Sequence, residues 1–408
     1  MNLKLTNIIA MLLLSCSIAT AQESKDSIPP VDFKLGDGLN FNFNEGYYKF
    51  KISGFIQGFY GYEKTQGLES ENEMNAKRTY LSISGSLAND KISFLLQNDF
   101  SRGESLLDAW VAYSPISNLK LSFGQKQTFT NNREMTFYED KLQFTDRGIF
   151  SSAFSNTGRE FGLFAESEFA ISNVIIRPKI AITSGDGLNS FGSDSRDVDN
   201  GGLKYGGRLD ILLLGKFKDG NDGYIADLMH EDKLKILAGA AFSYNNGASN
   251  EVGEGHGDFL FYNYKNEEQY PDYRKYYADI LLKYKGFSLL GEYVDASALA
   301  LEGSFLNEAA TLPLYATQIS QYLVLGNGYN IQGGYVTKSG YALDLRYEKL
   351  NPEYKENSLS LLSEQEAYTI GLTKYFKGNN LKIQSAFSTL QAATGNTFSA
   401  QLLVQVVF

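Results

Sequence analysis

Asn396–Phe408 reads NTFSAQLLVQVVF, and the fold follows from this stretch. Counted back from the end, Phe408, Val406, Val404, Leu402 and Ala400 are apolar, while Gln405, Gln401, Ser399 and Thr397 lie between them. A period of two puts the two sets on opposite faces of a strand. Ending on an aromatic residue suits a strand that closes a barrel in lipid, with Phe408 in the interfacial aromatic girdle.

The other end of the chain agrees. Met1–Ala21 has a basic start at Lys4, an apolar run from Ile8 to Leu14, and the small-residue stretch Ala19-Thr20-Ala21 before Gln22. This pattern is that of a secretory signal peptide over residues 1–21. The single cysteine, Cys16, lies inside it. Lipidation at Cys16 is the alternative, but Ala19-Thr20-Ala21 is the better cleavage site. Removal of the signal leaves no disulfide, thiol catalyst or cysteine-based zinc site. The expected organisation is then a periplasmic lead-in over 22–45 and one barrel domain over 46–408, with no linker between domains.

Beyond the signal no run of 18 apolar residues occurs, which excludes helical membrane spans. The 27 Tyr, 28 Phe and 39 Gly against only 7 Pro describe short aromatic segments punctuated by turns, an all-β chain. About sixteen strands are expected, at 47–62, 76–87, 91–99, 106–113, 118–126, 159–169, 174–184, 203–214, 233–244, 275–285, 287–296, 328–337, 341–349, 366–376, 380–389 and 396–408. Long connections (Glu63–Asn75, Phe100–Ser105, Gln127–Gly158, Gly185–Gly202, Asn245–Arg274, Ser297–Asn327, Asn351–Gln365) alternate with terse turns such as Ala88-Asn89-Asp90 and Lys338-Ser339-Gly340. Short periplasmic turns and long external loops characterise transmembrane antiparallel up-and-down barrels. Gly215–Asp232 is too long for its periplasmic place in this scheme.

One parity of many strands is apolar, as in Leu81/Ile83/Leu87, Leu119/Leu121/Phe123 and Tyr341/Leu343/Leu345/Tyr347. Lys or Arg at the bilayer midplane costs about 2–4 kcal/mol, so these faces point to lipid. The other parity lines the lumen. Its expected pore-lining cations are Lys49, Lys51, Arg78, Lys120, Lys126, Arg177, Lys179, Lys204, Arg208 and Arg346. They are interleaved with carboxylates including Asp108, Glu160, Asp210, Asp279, Glu292 and Asp344. The chain carries a formal net charge of −10, and the excess falls in expected external loops, at Glu63/Glu69/Glu71/Glu73 and Glu251/Glu254/Asp258/Glu267/Glu268. A sixteen-stranded barrel is wide enough for water, and a modestly basic wall favours anions. Gln127–Gly158 is long enough to fold inward as a constriction, bringing Arg133, Glu134, Tyr138, Lys141 and Arg147 into the channel.

Gly38-Leu39-Asn40-Phe41 and Gly54-Phe55-Ile56-Gln57 resemble the opening of the phosphate-selective porin O and P family. Leu96-Gln97-Asn98-Asp99-Phe100, Leu107–Tyr113, Leu121–Lys126 and Gly158–Gly162 extend the likeness, as do Gly207-Arg208-Leu209, Leu290–Tyr293 and Leu345-Arg346-Tyr347. The resemblance spans nearly the whole mature chain through the order of short motifs. It implies a sixteen-stranded trimeric porin of the outer membrane of a Gram-negative (diderm) bacterium, passing small anions such as phosphate. The wall departs from that family's dense arginine ladder and lysine cluster, and Gln125-Lys126-Gln127-Thr128-Phe129 lacks its usual proline.

Other chemistry finds little footing. The two histidines, His230 and His256, both fall in connections and assemble no catalytic group, so no enzyme is expected. Asp197-Val198-Asp199-Asn200-Gly201 has a calcium-loop look, but its twelfth position is Arg208 rather than Glu. No metal, cofactor or nucleic acid is expected. The expected partners are small hydrophilic or anionic solutes, outer-membrane lipid and two further copies of the chain. The alternative function is a barrel subunit of a larger secretion or uptake assembly, without an open pore.

Overall fold

The computed structural model describes residues 31–103, 105–188, 201–254 and 257–408. The expected signal peptide, Asp197–Asn200 and His256 lie outside them. Sixteen antiparallel strands form the wall. They are β1 (Tyr48–Thr65), β2 (Ser70–Leu87), β3 (Ile92–Asp99), β4 (Leu106–Ile116), β5 (Leu119–Gln127), β6 (Arg159–Ser167), β7 (Val174–Thr183) and β8 (Lys204–Leu212). The second half comprises β9 (Lys235–Asn245), β10 (Asp272–Tyr284), β11 (Phe287–Leu299), β12 (Gly326–Val336), β13 (Tyr341–Pro352), β14 (Gln365–Tyr375), β15 (Leu381–Ala392) and β16 (Gly395–Val407). The last strand returns to the first, with Thr397 opposite Thr65 and Val407 opposite Phe55. Closure removes the free edge, as a sheet in hydrocarbon requires.

The C-terminal alternation sorts as its residue types dictate. Leu402, Val404 and Val406 are 44%, 41% and 40% exposed on the outer face, whereas Gln405 is fully buried on the inner one. The periplasmic turns are short where their residues permit. Lys285-Gly286 joins β10 to β11 with both φ angles positive, at 47° and 91°, the two-residue turn whose twist matches the strands. A lead-in hairpin, Val31–Lys34 and Gly38–Phe43, extends the periplasmic end of β1, with Leu39 opposite Ile52 and Phe43 opposite Tyr48.

The first external loop is a correction. Glu63–Asn75 is not a loop: β1 and β2 run on as a projecting hairpin with Glu63 opposite Glu71 and only 66–69 turning. The strands were expected to stop where apolar alternation stops, but a paired ribbon needs no lipid-facing side chains once it leaves the bilayer.

The interior is not uniform. On β8 to β13 the inward face carries Leu212, Leu237, Tyr273, Tyr277, Leu281, Leu290, Val294 and Leu350, all nearly inaccessible. Between them the same inner face carries buried charges such as Arg208, Asp279, Lys283 and Glu292, and both kinds of side chain are inaccessible because this face packs against protein. On β14 to β16 the inward face instead carries Thr369, Ser388, Thr397, Ser399 and Gln401.

Candidate pore and its constriction

The long loop between β5 and β6, residues 128–158, folds into the barrel and reaches both sides of it. At one end, the Arg133 guanidinium pairs with Asp210 of β8 and, at 2.8 Å, with Asp279 of β10. Arg208 of β8 joins the same two carboxylates. The Glu134 amide donates to Glu292 Oε1 of β11 at 2.9 Å. Farther along, Lys382 of β15 donates to the Asp140 carbonyl at 2.9 Å and Gln405 of β16 donates to it at 3.1 Å. Gln143 donates to Asp344 of β13, Thr145 to Gln401 of β16, and Arg78 of β2 reaches Asp146 at 2.7 Å. The loop is therefore a strut across the lumen rather than a flap.

Inside the loop, Arg147 donates to the carbonyls of Glu134 and Phe137 at 2.6 and 2.8 Å and pairs with Glu139 at 3.0 Å. Glu139 also meets Arg159 at 2.7 Å. Burial pushes the Glu139 carboxyl up, yet Arg159 and Arg147 hold it well below the usual carboxylate range. Tyr138 and Lys141 are half-buried, the Lys141 ammonium lying 5.8 Å from the Tyr138 ring and 5.7 Å from that of Tyr224. The loop's short helix α1 (Ile149–Phe154) presses Phe150 and Phe154 onto Tyr273, Tyr277, Val294 and Leu350. The external segments after β9 and β11 close over this cluster through Val252, Phe261, Ile319 and Leu323. Glu254, expected as a solvated loop charge, is turned inward, accepting from Ser155 Oγ at 2.7 Å and the Asn156 amide at 2.9 Å.

The over-long periplasmic connection also folds inward, which accounts for its length. Its Phe217 and Ile225 pack with Leu212, Leu237, Leu281 and Leu290 and with Phe137 of the external loop. Lys283 of β10 donates to the carbonyls of Asn221, Tyr224 and Ala226. Two segments entering from opposite sides of the membrane thus meet inside the β8–β13 half.

The ten basic positions read from the sequence are distributed unevenly. Lys49 pairs with Asp90 and Lys51 with Asp37 at the periplasmic rim, at 2.7 and 2.5 Å. Lys126 pairs with Glu166, Arg177 with Glu168, and Lys179 with Asp210, at 2.6, 2.7 and 3.3 Å. Lys204 meets Glu160 at 2.5 Å, and Arg346 meets Glu348 at 3.2 Å and Glu134 at 3.3 Å. Lys204 and Arg208 are sealed beneath the loop, whereas Arg346, though buried, borders the external pocket described next. Among the described residues, Lys120 alone of the ten has no carboxylate within ion-pair distance.

Two open spaces border the inner wall of the described residues. An external pocket of about 200 Å³ lies between the loop's Thr145–Arg147 and the hydroxyl-rich wall of Thr369, Ser388, Thr397 and Ser399. A periplasmic one of about 580 Å³ is bordered by Lys49, Lys51, Ser93, Trp110 and Lys120. Reading for charge missed the hydroxyl wall and the inward-facing Trp110. The apolar inner face of β9 to β11 carried a legible signal, the apolar residues Leu237, Leu281 and Leu290 on the supposedly wet parity.

No family model matches the chain, and no curated protein matches it in sequence. Solved structures do. The OprB structure from Pseudomonas putida is similar with a TM-score of 0.55 and 10% identity, covering 88% of this chain and 94% of its own. An anion-selective porin from Comamonas acidovorans has a TM-score of 0.54 and 11% identity, covering 88% and 100%. The outer membrane channel DcaP of Acinetobacter baumannii has a TM-score of 0.53 and 12% identity, covering 91% and 100%. The chain folds as an outer-membrane porin barrel. At such identities the likeness speaks to architecture, and the inner wall speaks for itself.

Proposed function

We propose that this barrel is a porin of the Gram-negative outer membrane, passing small hydrophilic solutes by passive diffusion with a mild preference for anions. The observation that carries this reading is the pairing of an inward constriction loop with a polar inner wall on β14–β16 and β1–β7, inside an apolar outer face. Anion preference rests on the periplasmic half, where Lys120, Lys126, Arg177 and Lys179 cluster on β5 and β7. Nine of the ten basic wall residues named from the sequence are already paired with carboxylates, so the field they present is weak. This favours general anion preference over the dedicated phosphate path that the resemblance to the phosphate-selective porin family implies, a membership no family model supports. The protein works as a homotrimer, after cleavage of residues 1–21, and carries out no catalysis.

A second reading has its own observation. Two inward segments fill the β8–β13 half, as in a scaffold barrel that serves a larger assembly without conducting. Planar-bilayer recording of the purified protein decides between them: discrete open channels are expected, and their absence supports the scaffold. Reversal potential in a salt gradient then tests selectivity, where a clear cation preference overturns the assignment of the basic wall.

A further inference from the structure

The chain has one tryptophan, Trp110. Alternation on β4 turns it into the lumen, since Val111 and Tyr113 are 57% and 51% exposed on the outer face. Tryptophan in such barrels belongs to the lipid-facing girdles, so an indole on the inner wall has another purpose. The Lys120 ammonium lies 4.6 Å from its ring centroid and that of Lys126 5.7 Å. Gly124, the register partner of Trp110, lies between the two lysines along β5. Gly124 sits at φ +125°, and a Cβ there would come within 2.2 Å of the Ala109 carbonyl oxygen and 2.8 Å of the Trp110 Cα. Only glycine lets β5 pass this close to the β4 backbone at the residue that carries the indole. The indole N–H is buried with no partner among the described residues, so the two ammonium groups rather than a hydrogen bond hold the ring.

Trp110 borders the periplasmic pocket of about 580 Å³, within the usual range of small-molecule sites. Of the three lysines there, Lys49 is taken by Asp90 and Lys51 by Asp37. Glu166, registered opposite Lys120, is held instead by Lys126 at 2.6 Å. Lys120 is half-buried and makes no ion pair or hydrogen bond among the described residues. A lone desolvated ammonium beside an aromatic face has two complementary needs, a carboxylate for the charge and a flat ring for the indole.

We propose that Trp110 and Lys120 form a binding site for small aromatic monocarboxylates at the periplasmic mouth, the carboxylate pairing with Lys120 and the ring stacking on the indole. The proposal rests on the porin reading for its purpose, as a stopping place for a permeating solute. An inorganic anion satisfies only the ammonium, and a neutral aromatic only the indole. Asp32 of the lead-in hairpin lines the same pocket and disfavours multiply charged solutes.

A single tryptophan makes the test direct, because the intrinsic fluorescence of the whole detergent-solubilised protein reports this site. Benzoate is titrated against cyclohexanecarboxylate, which keeps the charge without the flat ring, benzyl alcohol, which keeps the ring without the charge, and phosphate. The expected result is a saturable emission change with benzoate, with the other three weaker by roughly tenfold. Lys120→Gln should weaken the benzoate response by about the same factor. Trp110→Leu, followed by equilibrium dialysis of labelled benzoate, should lose a similar factor without relying on fluorescence. Equal responses to benzoate and cyclohexanecarboxylate, or unchanged benzoate binding in both variants, overturn the site. Conductance of the same preparation keeps the two claims apart: a silent barrel that still selects benzoate defeats the porin reading alone, and a conducting barrel that does not select it defeats the site alone.

Discussion

The two halves of this barrel's interior solve different problems with the same strand geometry. On β8–β13 the inward side chains pack against two segments that enter from opposite sides of the membrane, and even the charges there are spent holding them. On β14–β16 and β1–β7 the loop covers only part of the inner face: Leu107, Phe164, Lys382 and Gln405 are buried beneath it, while hydroxyls such as Ser388, Thr397 and Ser399 and the half-exposed Lys120 border open space. The wall is continuous, so the difference does not come from the sheet. It comes from what each half faces, and it teaches that a barrel's lumen is set as much by the segments folded into it as by its strand number.

The sharpest way to break this contrast is at Arg133. Arg133→Ala leaves Asp210 and Asp279 buried with Arg208 as their remaining close guanidinium, a loss of about 3–5 kcal/mol for removing one partner of a buried pair. The loop should detach from β8 and β10, lowering the melting temperature and raising single-channel conductance; an unchanged conductance would mean that the loop does not restrict flow. Next comes a paired test of the two inner faces. Leu281→Ala in the packed half should cost about 2–5 kcal/mol by opening a cavity, while Ser399→Ala in the hydroxyl wall should stay within about 0.5 kcal/mol. Similar losses at both positions, measured by thermal unfolding, would erase the distinction.

Acid provides a milder probe. With the Glu139 carboxyl held well below its ordinary value, its contribution to holding the loop is fully present above the unfolded value and is lost only as pH falls through the depressed folded one. The stability difference between the wild type and Glu139→Gln should therefore be constant from neutral pH to about pH 5, given an ordinary Glu value near 4.3, and should shrink only in stronger acid. A transition near pH 6 would assign the latch to other groups. The smallest effect belongs to the rim. Lys49→Gln breaks an exposed pair with Asp90 and should shift stability by less than about 1 kcal/mol.

Much of this was legible in order along the chain. Leu119/Leu121/Phe123 facing lipid, the turn at Lys285-Gly286 and the return of β16 to β1 all follow from alternation and turn chemistry, which are local. The inward loop was legible as a length and a set of charges, but not as a set of partners. Arg133 and Asp279 are far apart in the chain, and nothing near either names the other. Gly215–Asp232 looked only like an exception until Lys283 was seen donating to its carbonyls. The acidic stretch Glu63–Asn75 misled because strand pairing outside the bilayer does not need the apolar alternation that marks it within.

By itself the chain's pattern settled that there is a barrel, which face meets lipid and roughly where its strands begin and end, since side chains two apart share a face whatever they later touch. The tertiary structure alone decided which inner side chains stay wet. That depends on which distant segments reach them through the lumen, and a period of two carries no record of what stands across a cavity.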